Sequence, residues 1–140
     1  MRTRAFLDSN VFIFGFERPK SNCHRILELL VAGEIQGVVT DRVVHEVMGY
    51  FRKHHGKDLA AEFRDLMLLT SDLVLEQDLR VERSIVARVG RKDAGAVAAT
   101  RKLGLARLVS TDRDFNRIPE RRTPRAFLAE IGERPRPGEE

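Results

Sequence analysis

Three aspartates in this 140-residue chain share one kind of position. Asp8 follows the short apolar run ending in Phe6-Leu7, Asp112 follows Leu108-Val109-Ser110, and Asp93 opens a helix between them. Glu46 lies inside the helix that follows another apolar run, residues 36–40 (QGVVT). In an open parallel sheet, ligands bind outside the carboxyl ends of the strands, so Asp8 and Asp112 can converge there with Glu46 beside them. Four like charges held close together raise one another's pKa unless a cation sits among them. Hard oxygen ligands without His or Cys specify Mg2+ or Mn2+ rather than zinc. The expectation from residue types alone is a divalent-metal site. Each acid also has a purely structural role open to it. Asp93 can be a helix N-cap, Asp112 can close an Asx-type turn, and Glu46 can be a solvated helix charge. Asp8 is harder to assign that way, because an acid directly after a buried strand needs a partner.

Other chemistries find little support. Cys23-His24 and His54-His55 are adjacent pairs without zinc-ligand spacing, and there is no second cysteine. Cys23 falls on the apolar face of its helix, which argues against a nucleophile. A lone cysteine also excludes a disulfide framework and makes a reducing cytoplasm the natural expectation. No phosphate-binding loop of the GxxxxGK[ST] kind occurs. The longest apolar run, residues 11–16, is too short to span a bilayer, so no membrane partner is expected. Asp8 and Asn10 interrupt the only stretch that resembles a signal peptide.

The elements that must position the acids can be read from the apolar pattern. A strand ends at Asp8. Ser21 caps a helix with Cys23, Ile26, Leu27, Leu30 and Val31 on one face and Gly33 as its stop. Strand 36–40 leads into Asp41 as a cap, and Val43, Val44, Val47, Met48 and Phe51 mark the next helix. Asp58 opens another helix, Leu73 to Leu75 form a weak edge strand, and residues 78–89 read as helical. A small-residue helix runs from Asp93 to Leu103, Leu108 to Ser110 form a strand, and Thr123-Pro124 start a last short helix. Short strands alternating with longer helices imply a parallel sheet covered on both faces. Residues 1–132 are expected to form a single domain, and the charged, proline-containing residues 133–140 a loose tail.

These segments resemble a known family. AFLDSNVFI is similar to the opening motif of PIN domains, a strand ending in Asp, then Ser or Thr, then Asn. TDRVVHEV resembles their second motif, a helix carrying Glu after the second strand. KDAGAVAA resembles the third, Asp before a small-residue helix, and LVSTDRDF the fourth. All four occur in family order across residues 5–115. The resemblance implies a three-layer α/β/α sandwich with a central parallel sheet. It also implies an acidic site of Asp8, Glu46, Asp93 and Asp112, with Ser9, Asn10 and Ser110 as supporting groups and Asp114 as a peripheral or alternative fourth acid. Asp8, Asp93 and Asp112 would be metal ligands, and Glu46 a ligand or the orienter of an attacking water.

Many small single-domain members of that family are ribonucleases, and many of those are VapC-type toxins of toxin–antitoxin pairs. The resemblance therefore implies a metal-dependent endoribonuclease that takes RNA as substrate, pairs with an antitoxin and forms a homodimer. Alternatives are an RNA-processing PIN nuclease without an antitoxin, or a catalytically silent PIN-like binding module. A phosphatase of the haloacid dehalogenase type would want a second Asp where Asn10 stands. The charge balance suits a polyanionic substrate. The chain carries +4, but with the four acids set aside, 25 basic residues face 17 acidic ones, a balance of +8. Arg42, Arg52, Lys53, Arg91, Lys92, Arg113 and Arg117 lie near the motifs and are candidates to hold RNA phosphates.

Overall fold

Every strand in the computed structural model, which describes residues 2–140, runs in the same direction. The order across the sheet is β3 (Ser71–Val74), β2 (Ile35–Thr40), β1 (Thr3–Leu7), β4 (Leu108–Val109), β5 (Arg121–Arg122). A strand covered on both faces needs apolar side chains on both. Ala5, Phe6 and Leu7 of β1 are accordingly all buried, as are Val38 and Val39 of β2.

Helices α1 (Ser9–Glu17), α2 (Asn22–Val31), α3 (Asp41–His55) and α4 (Lys57–Thr70) pack on one another, with α3 and α4 also against β2. The opposite layer is α5 (Arg83–Val89) and α6 (Arg91–Lys102), with α6 lying on β1, β2 and β4. Helix α7 (Pro124–Glu130) follows β5 and touches α2. This is the three-layer α/β/α sandwich, with Phe6, Phe12, Phe51, Met67, Leu108 and Phe127 among its fully buried side chains. Alanines in α6 (Ala94, Ala96, Ala99) let that helix lie close to the sheet, and Gly95 leaves room for the Glu76 carboxylate, which a Cβ there would meet at 2.6 Å. No described helix is long and apolar enough to cross a membrane.

Several local expectations change. Residues 9–17, where the apolar pattern assigns no element, are helical, and Asp8 itself caps the helix by accepting from the Ser9 backbone N–H. Gly15 lets α2 approach, since a Cβ there would stand 2.5 Å from Leu27 Cδ1. Thr40, not Asp41, caps α3, accepting from the Val43 N–H at 3.3 Å. Asp93 is not a cap either. α6 begins at Arg91 after Gly90, whose φ of 87° suits glycine, and Asp93 is the third helical residue. The expected helix over 78–89 is a short 3₁₀ turn at Glu76–Asp78 followed by α5 alone. Its amino-terminal half has no buried residue, with Leu79 only half-buried against the core, and of α5 only Ile85 and Val89 are buried. The pair β5 is an addition, formed by backbone bonding to β4 without any apolar pattern. Residues 133–140 lie against the body of the protein. The Asn22 side chain bonds to the Arg136 and Gly138 carbonyls and to the Arg136 N–H, and the Cys23 N–H donates to Glu140 O at 2.7 Å.

Candidate active site

The chain leaves β1 toward β2 and β3 on one side and later returns to β4 and β5 on the other. The loops after β1 and β4 therefore part at their carboxyl ends, and a crevice opens there. Asp8 lies in the first loop and residues 110–114 in the second. Ser110 ties them together. Its hydroxyl donates to Asp8 Oδ2 at 2.7 Å, and its oxygen accepts from Asn10 Nδ2 at 3.1 Å and from the Asp112 N–H at 3.0 Å. Asn10 adds a second cross-link, because its Oδ1 accepts from the Thr111 N–H at 3.1 Å. The Ser-Asn pair that follows Asp8, together with Ser110, thus fixes the distance between the two loops.

Asp8 is only 8% exposed, and both its oxygens are engaged. Burial raises its pKa first of all, the bonds from Ser110 and Ser9 pull it back, and the charges of Glu46 and Asp112 push it up again. Asp93 is pushed up to about 6, by burial first and then by Asp8 and Asp112, with Lys92 opposing. Carboxylate oxygens of Asp93, Asp112 and Asp114 all lie within 4.8 Å of one another. One oxygen of Asp112 accepts from the Asp114 N–H at 2.8 Å, so the Asx-type turn is real and serves to hold the two acids together.

Among the described residues no Lys or Arg forms an ion pair with Asp8, Asp93, Asp112 or Asp114. Lys92, whose charge lowers the pKa of Asp93, is paired with Glu46 at 3.3 Å. A crowd of hard oxygen donors that no protein cation pairs directly fits a divalent ion of the Mg2+ class. Asp114, expected as a peripheral or alternative fourth acid, lies in the tight group of three. Glu46 stands outside that group but close enough to raise the pKa of Asp8.

The basic candidates separate. Arg91 and Lys92 lie in the first turn of α6 beside Asp93, and Arg113 and Arg117 flank Asp114. Arg42 is paired with Glu76 at 3.3 Å. Arg52 and Lys53 sit in the last turn of α3, about 9–10 Å further along the helix than Glu46. Sequence reasoning missed Arg121, whose Nε donates to Ser110 O at 3.2 Å and braces the loop after β4. No signal marked it, because the strand it belongs to has none.

The sequence profile of the PIN domain family matches residues 4–116. A search of the curated proteins found no match. Solved structures are similar in fold. A toxin–antitoxin complex from Klebsiella pneumoniae aligns with a TM-score of 0.59 at 23% identity, covering 86% of this chain and 97% of that one. VapBC2 from Rickettsia felis, bound to a DNA fragment from its promoter, gives 0.60 at 18% identity over 84% and 95%. VapC20 from Mycobacterium tuberculosis, described as a toxin that cleaves the sarcin-ricin loop, gives 0.56 at 15% over 81% and 93%.

Proposed function

The chain belongs to the PIN domain family, and from that membership we propose that it is a Mg2+-dependent endoribonuclease, the toxin of a toxin–antitoxin pair, acting in the cytoplasm. The observation that carries this reading is the group of Asp93, Asp112 and Asp114 oxygens within 4.8 Å of one another, set beside buried Asp8, with none of the four in an ion pair among the described residues.

Asp93, Asp112 and Asp114 would hold the ion together with Asp8, and Mn2+ would suit the same donors. When bound, such an ion eases ionisation of an attacking water and offsets the charge that builds on the phosphate oxygens. The protein's own part is positional. Ser110, Asn10 and the Ser9 N–H fix the Asp8 carboxylate. Lys92 holds Glu46 at the rim, where its carboxylate would orient the attacking water and accept its proton. Arg91, Arg113 and Arg117 surround the acids with positive charge for a polyanion.

The toxin reading is supported by the complexes that this fold resembles. It is also supported by an apolar groove of about 570 Å3 between α1, α2 and α4, lined by Phe16, Leu27, Val31, Phe63 and Leu66. Phe16 is 40% exposed and Val31 68% exposed, surface that suits an antitoxin peptide or the partner in a homodimer. Cleavage of RNA with Mg2+, with chelator, and by Asp93→Asn protein tests the enzyme. Activity that survives chelation or the substitution overturns the assignment. Growth arrest on expression, relieved by Asp8→Asn and by the product of an adjacent small gene, tests the toxin role.

A further inference from the structure

Helix α5 and the turn that carries Asp114 enclose a pocket of about 560 Å3. Ser84 and Arg88 come from one face of α5, one turn apart, and Arg113, Asn116 and Arg117 come from the turn. Asp114 forms the wall that this pocket shares with the acid group. The pocket is therefore continuous with the candidate active site but has the opposite sign.

Its three guanidinium groups have no carboxylate partner among the described residues. Elsewhere in the same half of the chain, Arg101, Arg107 and Arg122 are all ion-paired, to Glu120 and Glu130. Arg88, Arg113 and Arg117 also donate no side-chain hydrogen bond to a described residue. Asn116 directs its Oδ1 to Arg121 Nη1 at 2.6 Å, which leaves its amide N–H groups free to donate. The lining is thus rich in donors and short of acceptors, with Asp114 as the one acid. Three planar forks with an amide and a hydroxyl suit a phosphate better than a single carboxylate, because a phosphate offers more oxygens to bidentate donors.

We infer that this pocket seats a phosphodiester of the RNA strand adjoining the one cleaved, and that Arg88 and Arg117 are positioning residues for the substrate. The inference rests on the nuclease reading above and adds the path of the strand, across the turn from the acids toward α5. Arg88 enters this role from a helix that none of the four motifs includes.

The experiment measures binding of a short, labelled single-stranded RNA to Asp8→Asn protein in Mg2+ over a range of salt, and cleavage of cellular RNA by the wild type. Arg88→Ala/Arg117→Ala should weaken binding several-fold and lower the salt slope by about 0.7 for each phosphate that the protein no longer neutralises. In cleavage it should raise KM with kcat nearly unchanged. Arg88→Lys/Arg117→Lys should restore the slope, and Arg64→Ala, remote from the site, should change nothing. A double variant with wild-type slope and KM overturns the inference while Mg2+-dependent cleavage by the wild type leaves the nuclease reading standing. A wild type that neither binds nor cleaves RNA overturns both. Uridine monophosphate should compete only far above the concentration of oligonucleotide needed. Equal potency would overturn a strand site in favour of a free-nucleotide site.

Discussion

Asp8 and Asp93, after β1 and at the start of α6, hold their protons above the ordinary aspartate range. Glu120 and Glu130, near the amino ends of β5 and β4, hold theirs below the ordinary glutamate range. The difference lies in the neighbours. Glu120 accepts from Arg101 at 3.0 Å, and Glu130 accepts from Arg107 at 2.9 Å and from Arg122. Arg4 and Asp72, in β1 and β3, pair in the same way at 2.8 Å. At the carboxyl end Glu46 pairs with Lys92 and Glu76 with Arg42, but Asp8, Asp93, Asp112 and Asp114 form no ion pair among the described residues and have burial, hydroxyls and one another. The acids at one end of the sheet are held in ion pairs, and the aspartates at the other keep a repulsion that the fold tolerates and only partly relieves. Such a repulsion is what a bound cation would relieve, and it is a common property of functional sites.

Removing one of the crowded acids should break the contrast most sharply. Asp93→Asn should cut Mg2+-dependent cleavage by at least about a hundredfold. It should also raise the melting temperature of the metal-free protein at neutral pH, the reverse of what loss of a paired acid does. Next in size is the ion itself. Mg2+ at about a hundred times its Kd should stabilise the wild type by about 2.7 kcal/mol in a thermal melt and leave Asp93→Asn almost unmoved. An equal shift in both proteins would place the ion elsewhere. Ser110→Ala takes away the shortest bond to Asp8 and one of the two links between the loops. It should cost about 1–2 kcal/mol by urea denaturation and move the acid limb of the cleavage profile to higher pH, since the bond that lowers the Asp8 pKa is gone.

Much of the carboxyl end is legible in the sequence. Strands β1, β2 and β4 announce themselves because both faces are covered and their residues are mostly apolar, and Asp8 and Asp112 are visible as the acids that follow two of them. Asp114 is harder to rank. Its membership depends on the backbone bond to Asp112, which spacing alone does not specify. Helix α1 is hidden because VFIFGF carries aromatic and branched residues on every side, a pattern that periodicity does not resolve. Asp8 is its cap, so one residue serves both the helix and the site. β5 has no pattern at all, since Arg121 and Arg122 join the sheet through the backbone of β4. The ion pairs at the amino end are equally illegible, because Arg101 and Glu120, or Arg107 and Glu130, meet only once the sheet is built.

The smallest effects should come from the amino end, and the two ends differ in sign. Asp93 has its pKa raised from 3.8 to about 6 on folding, so the native state binds that proton more tightly than the unfolded chain. Its contribution to metal-free stability is fully present below pH 3.8 and is lost as pH rises through 6. Glu130 and Glu120 have theirs lowered from 4.5, so their contributions are present above that pH and are lost as pH falls through the lowered values. Metal-free Asp93→Asn should therefore be more stable than the wild type above pH 6, and that advantage should fade as pH falls toward 4. Glu130→Gln should instead be less stable by about 0.2–1 kcal/mol at pH 7, as expected of exposed pairs. That deficit should shrink only as pH falls below 4.5, with cleavage unchanged throughout. Urea denaturation of the three proteins across this range measures the sign of each gap and the pH at which it closes. If both variants were less stable than the wild type at pH 7, the two ends would not differ in the state of their carboxylates.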